Sequence, residues 1–323
     1  MNLTIRLSHC GGPDVLRAEQ AAIPAPAAGE VLLRHTAIGV NFIDTYYRSG
    51  LYPLPLPSGL GSEAAGVVAA VGDGVSHLQV GDRVAYAGGA QGAYSQYRTL
   101  PAALLVKLPD DIADDTAACV MLQGMTVEYL IRRTYAVEAG QTVLWHAAAG
   151  GVGQIAVQWL SSLGVNVIGT VGSADKAAIA LRLGCKQVIN YREEDVVARV
   201  RELTGGRGVP VVYDSVGKDT FERSIECLRP FGMMVSFGNA SGLVPPIDFG
   251  KMLKGSLFLT RPSLMPYTAK REDLVATAKD LFDIVLSGKV KIEINQRYPL
   301  REAAQAHRDL EARKTTGSTI LLP

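Results

Sequence analysis

The segment Gln141-Thr-Val-Leu-Trp-His-Ala-Ala-Ala-Gly-Gly-Val-Gly-Gln154 constrains the fold of this chain more than any other. An apolar run, Val143 to Trp145, flows into small residues and glycines, and an apolar helical pattern then runs from Val152 to Leu163. The order predicts strand, tight turn, helix. Ala148, Gly150 and Gly153 occupy the three small positions of a dinucleotide fingerprint, with Ala in place of the first glycine and Gly151 and Val152 between the last two. Small residues there let the backbone approach a pyrophosphate. The following helix turns unpaired N–H groups and a favourable dipole toward the phosphates. Such a glycine spacing arises by chance on its own, and the flanking strand and helix supply the specificity.

The next strand reads Val165-Asn-Val-Ile-Gly-Thr-Val171. A binder of the unphosphorylated dinucleotide usually places Asp or Glu near its end, to hold the ribose 2′-hydroxyl. This chain has no acid there and continues Gly172-Ser173-Ala-Asp175-Lys176. A hydroxyl and an ammonium suit a 2′-phosphate, and the missing carboxylate removes a repulsion. The expected cofactor is therefore NADPH, with Ser173 and Lys176 at the 2′-phosphate and Asp175 capping the next helix. The plainer alternative is a turn serine and a solvated helix lysine.

The chain has 323 residues, enough for two domains and a large core. Its formal net charge is +1 and its Lys and Arg are dispersed, which points away from nucleic acid and membrane surfaces. No apolar segment reaches the length of a membrane span. The amino-terminal residues lack the pattern of a secretory signal, so a cytoplasmic location is expected. Cys10, Cys119, Cys185 and Cys227 show no metal or redox spacing and read as free thiols, with Cys119 and Cys227 in the core.

Residues 1 to about 120 are rich in Gly, Pro and short apolar runs such as Ala65 to Val71 and Asp82 to Tyr86, the pattern of an all-β or barrel-like domain. From about 123 the rhythm changes. Strands at 142–146, 165–170, 187–190, 209–213, 232–237 and 256–260 alternate with helices near 151–163, 175–183, 194–203 and 219–228. This alternation predicts a doubly wound parallel sheet. A helix from Glu272 to Leu286, strands at Lys291–Ile294 and Ser318–Leu322 and a helix near 301–312 do not extend it. They are expected to rejoin the first domain, giving boundaries of 1–122, 123–265 and 266–323.

Several segments together resemble the quinone oxidoreductases, including zeta-crystallin, of the medium-chain dehydrogenase/reductase superfamily. They include Gly39 to Tyr46, Gly59-Leu-Gly-Ser-Glu-Ala-Ala-Gly66, Val80 to Val84, His146 to Gly153, Val188 to Tyr191, Tyr213 to Gly217 and Phe237 to Asn239. The resemblance implies a GroES-like β-barrel catalytic domain joined to a Rossmann α/β domain, an active site in the cleft between them, and a homodimer. For the homodimer, the sheet edge near Gly255 to Thr260 is the candidate contact. Where zinc-dependent relatives place catalytic ligands, this chain has Asn41, Ser62 and, at about that position, Leu122, and it lacks the cysteines of a structural zinc lobe. Zinc prefers thiolate and imidazole donors, so no metal is expected.

The resemblance also nominates site residues. Asn41, Tyr46 and Tyr52 are expected to hold a quinone, the amide bonding a carbonyl oxygen and the phenols stacking or donating. The alternative for the tyrosines is ordinary packing. Asp44 reads as a structural helix cap. Asn41 and Thr126 are also placed near the nicotinamide, though Thr126 could equally cap a helix beginning there. Tyr191 and Arg313 are placed around the adenosine phosphate, Arg313 alternatively being a solvated arginine after the last helix. Ser215, Phe237, Gly238 and Phe258 to Thr260 follow Rossmann strands and are expected to line the cofactor crevice. His146 reads as a packed residue. The expected activity is NADPH-dependent quinone reduction. The alternatives are an NADPH-dependent alkenal or enone double-bond reductase, and a non-catalytic RNA-binding or structural role of the zeta-crystallin type.

Overall fold

The computed structural model describes residues 1–248, 250–253 and 255–323. The chain forms two compact units. Unit one is Met1–Met125, Met265–Leu286 and Ile292–Pro323, and unit two is Thr126–Leu264 and Ser287–Lys291.

Unit one opens with β1 (Asn2–Leu7), β2 (Arg17–Ala21), β3 (Glu30–Gly39), α1 (Phe42–Ser49) and β4 (Ser58–Gly59). It continues with β5 (Glu63–Val71), β6 (Arg83–Ala87), β7 (Tyr97–Pro101), β8 (Val106–Lys107) and the start of α2 (Asp114–Tyr129). Unit two carries β9 (Thr142–Trp145), α3 (Gly151–Ser162), β10 (Asn166–Val171), α4 (Ala174–Arg182), β11 (Gln187–Asn190), α5 (Val196–Leu203) and β12 (Val209–Asp214). After these come α6 (Phe221–Cys227), β13 (Leu228–Ser236), α7 (Gly250–Leu253), β14 (Phe258–Thr260) and the start of α8 (Leu264–Tyr267). Unit one resumes with α9 (Arg271–Leu286), β15 (Ile294–Pro299), α10 (Ala303–Glu311) and β16 (Ser318–Leu322).

In unit one a seven-stranded sheet runs β15-β16-β3-β5-β6-β8, with β7 also on β3, and a three-stranded sheet runs β2-β1-β4. The long pair β3–β5 is antiparallel with two register shifts. A β-carbon on Gly66 would lie 2.2 Å from the Arg34 carbonyl oxygen, so only glycine lets the two backbones approach there. Leu33, Ile38, Leu60, Val84, Tyr94 and Leu321 are buried in the core of this unit. Strand β15 departs from the sequence reading of Lys291–Ile294. Both polar backbone groups of Lys291 are bonded to the Gln158 side chain, leaving none for a ladder, and β15 starts at Ile294.

Unit two is built on a six-stranded, wholly parallel sheet in the order β11-β10-β9-β12-β13-β14. Its strands are apolar because both faces are covered: Leu144, Ile168, Ile189, Val212 and Met234 pack with Val200 of α5 and Phe221 of α6. The strand order reverses between β9 and β12, the place where open α/β sheets bind ligands beyond the strands' carboxyl ends. Gly205, Gly206 and Gly208, after α5, all have positive φ, the conformation in which glycine ends a helix.

Candidate active site

The fingerprint folds as strand, turn and helix. β9 ends at Trp145, and α3 begins behind the N-cap Gly150, which contributes no side-chain cap. No acidic residue sits in the first turn of this 12-residue helix, so its amino end is electropositive and suited to a phosphate. The turn holds Ala147 at φ 54°, a left-handed conformation one residue before the first small position of the fingerprint. Ala148 is buried, and its N–H bonds the Thr170 carbonyl at 3.1 Å. A β-carbon on Gly153 would lie 2.3 Å from the Ala147 carbonyl oxygen, whereas one on Gly150 would lie at 3.3 Å. The last glycine therefore serves internal packing, and Gly150 leaves the mouth of the turn open. Gly151 and Val152 open α3 itself.

At the end of β10, Ser173 is the N-cap of α4, its hydroxyl accepting from the Lys176 N–H at 3.4 Å. The cap is thus Ser173 rather than Asp175, which lies in the first helical turn. Capping uses the hydroxyl as an acceptor and leaves its proton for an anion. The Tyr191 N–H bonds the Val171 carbonyl at 3.1 Å, and the Tyr191 phenol lies over Gly172. Gly172, Ser173, Lys176 and Tyr191 are brought together, while Arg313 lies in the other unit, after α10, at φ 57°. Beyond β12 and β13, Ser215 and Gly238 touch: a β-carbon on Gly238 would lie 2.3 Å from the Ser215 carbonyl oxygen. The Phe237 ring lies 5.7 Å from that of Trp145. Thr260 ends β14, but Phe258 opens it at the opposite end and is 55 % exposed. Thr126 lies inside α2, whose first turn begins at Asp114, so it does not cap a helix start.

One link went unread in the sequence. His146 is buried between Thr170 Oγ1 and Ser224 Oγ, each 2.9 Å away, and Ser224 donates to Asp214 at 2.9 Å. Burial pushes the His146 pKa down, so the ring is neutral. This chain ties the ends of β9, β10 and β12 together beneath the turn.

In unit one Asn41 is the N-cap of α1, and its N–H donates to Asp44 Oδ2 at 2.9 Å. Asp44 is fully buried and also accepts from Ser62 Oγ at 2.8 Å and Tyr94 Oη at 3.0 Å. Burial raises its pKa to about 6 against the pull of these bonds. Glu63, equally buried, accepts from Asn41 Nδ2 at 2.7 Å and from the Leu122 N–H at 2.6 Å, and burial raises it to about 8. Gln123 Nε2 donates to Asn41 Oδ1 at 3.1 Å. Tyr46 and Tyr52 meet edge to face at 5.3 Å, and the Tyr52 N–H bonds the Tyr46 carbonyl. The sequence signal for Glu63 and Asp44 was a charge inside an otherwise apolar run.

The three positions that correspond to zinc ligands in relatives thus hold an amide bonded to Glu63, a hydroxyl bonded to Asp44 and a leucine. Among the described residues, no three His, Cys, Asp or Glu side chains are grouped to hold a metal.

Residues 27–110 match the alcohol dehydrogenase GroES-like domain, and residues 151–280 match the zinc-binding dehydrogenase family. The chain is 54% identical over 321 residues to a quinone oxidoreductase of Pseudomonas aeruginosa, covering 99% of each chain. It is 48% identical to a 2-haloacrylate reductase of a Burkholderia species, covering 97% of this chain and 96% of that one. The crystal structure of Escherichia coli quinone oxidoreductase complexed with NADPH superposes with a TM-score of 0.98 at 52% identity, covering 99% of this chain and 100% of that one. On this combination of fold, fingerprint and near-complete coverage, the chain belongs to the quinone oxidoreductase family of the medium-chain dehydrogenase/reductase superfamily.

Proposed function

We propose that this protein reduces quinones at the expense of NADPH. The observation that carries the reading is the bare amino end of α3 behind Ala148, in a chain 52% identical to a quinone oxidoreductase crystallised with NADPH. When bound, NADPH supplies the hydride. Gly151, Val152 and Gly153 offer backbone N–H groups to its pyrophosphate, while the Gly150 N–H is bonded to the Ala147 carbonyl and Gly150, like Ala148, leaves room for the phosphates. Gly172, Ser173, Lys176, Tyr191 and Arg313 recognise the 2′-phosphate, with the arginine as a planar fork. Thr126, Ser215, Phe237, Gly238 and Thr260 line the remainder of the cofactor, Phe258 being at the far end of its strand, and Asn41 meets the nicotinamide end.

Asn41, Tyr46 and Tyr52 hold the quinone: the amide donates to a carbonyl oxygen, and the two edge-to-face phenols give an aromatic corner. A quinone accepts electrons without a Lewis acid, which agrees with an amide, a hydroxyl and a leucine at the three ligand positions. Steady-state turnover with a panel of quinones and enones tests the reading. The expected result is a kcat/KM at least tenfold higher for the best quinone. The 2-haloacrylate reductase relative favours a second reading, reduction of an activated carbon–carbon double bond, and enone turnover exceeding that of every quinone would select it.

The protein is further proposed to be a cytoplasmic homodimer that binds no nucleic acid. β14 is the last strand of its sheet, and Phe231, Leu253 and Phe258 are exposed in the same unit by 72 %, 80 % and 55 %. An open strand edge with exposed apolar side chains suits a second copy across a two-fold axis. Light scattering showing only monomer at micromolar concentration would overturn the dimer.

A further inference from the structure

Three side chains in unit one form a directed chain. Gln123 Nε2 donates to Asn41 Oδ1, and Asn41 Nδ2 donates to Glu63 Oε1, at 3.1 and 2.7 Å. All three residues are buried. A carboxylate only accepts, so ionised Glu63 forces the nitrogen of Asn41 toward itself. That choice forces the nitrogen of Gln123 toward Asn41 Oδ1. At the far end Gln123 Oε1 is buried with no hydrogen-bond partner, which is destabilising for an acceptor.

The same atoms support a second arrangement. A proton on Glu63 Oε1 makes it a donor to Asn41 Oδ1. Asn41 then turns its nitrogen toward Gln123, whose own amide turns its oxygen to accept, and the Gln123 nitrogen takes the unmatched place at the far end. The two arrangements differ by one proton and two amide flips. They exchange donor for acceptor on the Glu63 side of Asn41.

We propose that Glu63 is a positioning residue: the proton it holds or lacks sets the direction of the Glu63–Asn41–Gln123 chain, and so decides whether Asn41 offers its ligand a hydrogen-bond donor or an acceptor. The inference rests on the reading that Asn41 faces the quinone. With Glu63 ionised, the second Nδ2 hydrogen is the donor left for a quinone carbonyl. With Glu63 protonated, the same position offers Oδ1, which suits the hydroxyl of the reduced product and opposes a carbonyl. Binding of oxidised substrate and release of reduced product are thereby tuned by one buried carboxyl. Burial places its titration at about 8, within reach of ordinary conditions. The titratable groups that face it are Asp44 on α1, Cys119 on α2, Tyr86 on β6 and Tyr94 before β7. All of these are acids, so none supplies a compensating cation.

The test measures the KM for a soluble benzoquinone and the inhibition constant of a simple phenol, in the full protein with saturating NADPH, from roughly pH 6.5 to 9.5. In the wild type the quinone KM is expected to fall about fivefold to tenfold with rising pH, the worth of one hydrogen bond. Phenol inhibition is expected to weaken over the same range. Glu63→Gln can accept from the Leu122 N–H while donating to Asn41, which fixes the second arrangement. Its two profiles are expected to be flat, at the wild-type values of the acid limb. Infrared titration of the apoprotein adds a readout without turnover: a protonated-carboxyl stretch that disappears near pH 8 and is missing in Glu63→Gln. A flat wild-type profile, an inverted slope, or an unchanged slope in Glu63→Gln overturns the inference while leaving the quinone reading standing. A wild type that reduces no quinone at any pH overturns both.

Discussion

The phenol oxygen of Tyr191 lies so close over Gly172 that a β-carbon on residue 172 would come within 2.4 Å of it. The obstructing atom is the far end of a side chain, which can move. Gly172→Ala is therefore expected to lower stability by less than about 1 kcal/mol while swinging Tyr191 away from the proposed 2′-phosphate site. NADPH affinity, measured by titration calorimetry, should drop about tenfold, equivalent to one charge-assisted hydrogen bond. NADH affinity should hardly change. Equal losses for both cofactors would remove Tyr191 from 2′-phosphate recognition.

Arg313 occupies a left-handed position, φ 57°, in the turn after α10, where glycine is the usual residue. Arg313→Gly is expected to raise stability by about 1 kcal/mol by relieving that strain. NADPH binding should weaken in the same variant. Thermal melting and cofactor titration on one preparation separate the two effects, and a variant that gains stability without losing NADPH affinity would relegate Arg313 to a solvated surface residue.

Two glycines of the fingerprint should respond differently to one methyl group. In Gly153→Ala the new carbon would lie 2.3 Å from the Ala147 carbonyl oxygen and 2.8 Å from Ala148 backbone atoms, which cannot move without opening the turn. A loss of roughly 2–4 kcal/mol in folding stability is expected, visible in urea unfolding. In Gly150→Ala the nearest atom would be 3.3 Å away and the backbone stays extended at φ −79°. That variant should fold within about 1 kcal/mol of wild type yet bind NADPH poorly, because its methyl group stands at the mouth of the turn.

His307 accepts from Arg48 at 3.2 Å, and its other ring nitrogen lies 3.0 Å from Tyr94 Oη. Burial first and the neighbouring guanidinium second push its pKa from 6.5 down to about 3. The unfolded chain thus binds a proton here at higher pH than the folded one. Its contribution to stability is present above pH 6.5 and is lost as pH falls toward about 3. A shift of this size corresponds to several kcal/mol, roughly 1.4 per unit. His307→Gln should be less stable than wild type at pH 7.5, because a buried bond is lost, and the gap should narrow as pH is lowered toward 4. A constant gap in denaturant midpoints across that range would contradict the buried neutral imidazole.

The division of the fold was legible because strand and helix periodicities and the fingerprint are local. Residues 142–260 alternate apolar strands with helical stretches, and the parallel sheet follows wherever both faces must be covered. The strand, turn and helix around Ala148, Gly150 and Gly153 were legible for the same reason, because these residues lie beside the elements that position them. Misreadings occurred where a distant side chain took over backbone groups. Gln158 holds both polar groups of Lys291 and keeps the strand from starting there. The alternative for Thr126, a helix cap, falls for a different reason: the helix already begins twelve residues earlier, at Asp114.

By itself, the sequence determined the two-part architecture, the dinucleotide turn and the absence of thiolate and imidazole at the relatives' zinc-ligand positions, because each is carried by neighbouring residues. Only the tertiary structure decided that Glu63, Asn41 and Gln123 form one chain, that Asp44 gathers Ser62 and Tyr94, and that His146 joins three strand ends. Residues 18 to 82 positions apart are hydrogen-bonded in the first two of these clusters. No periodicity encodes such meetings. Burial then sets which of these groups carries a proton, because taking a charge out of water depends on surroundings that exist only once the chain has folded.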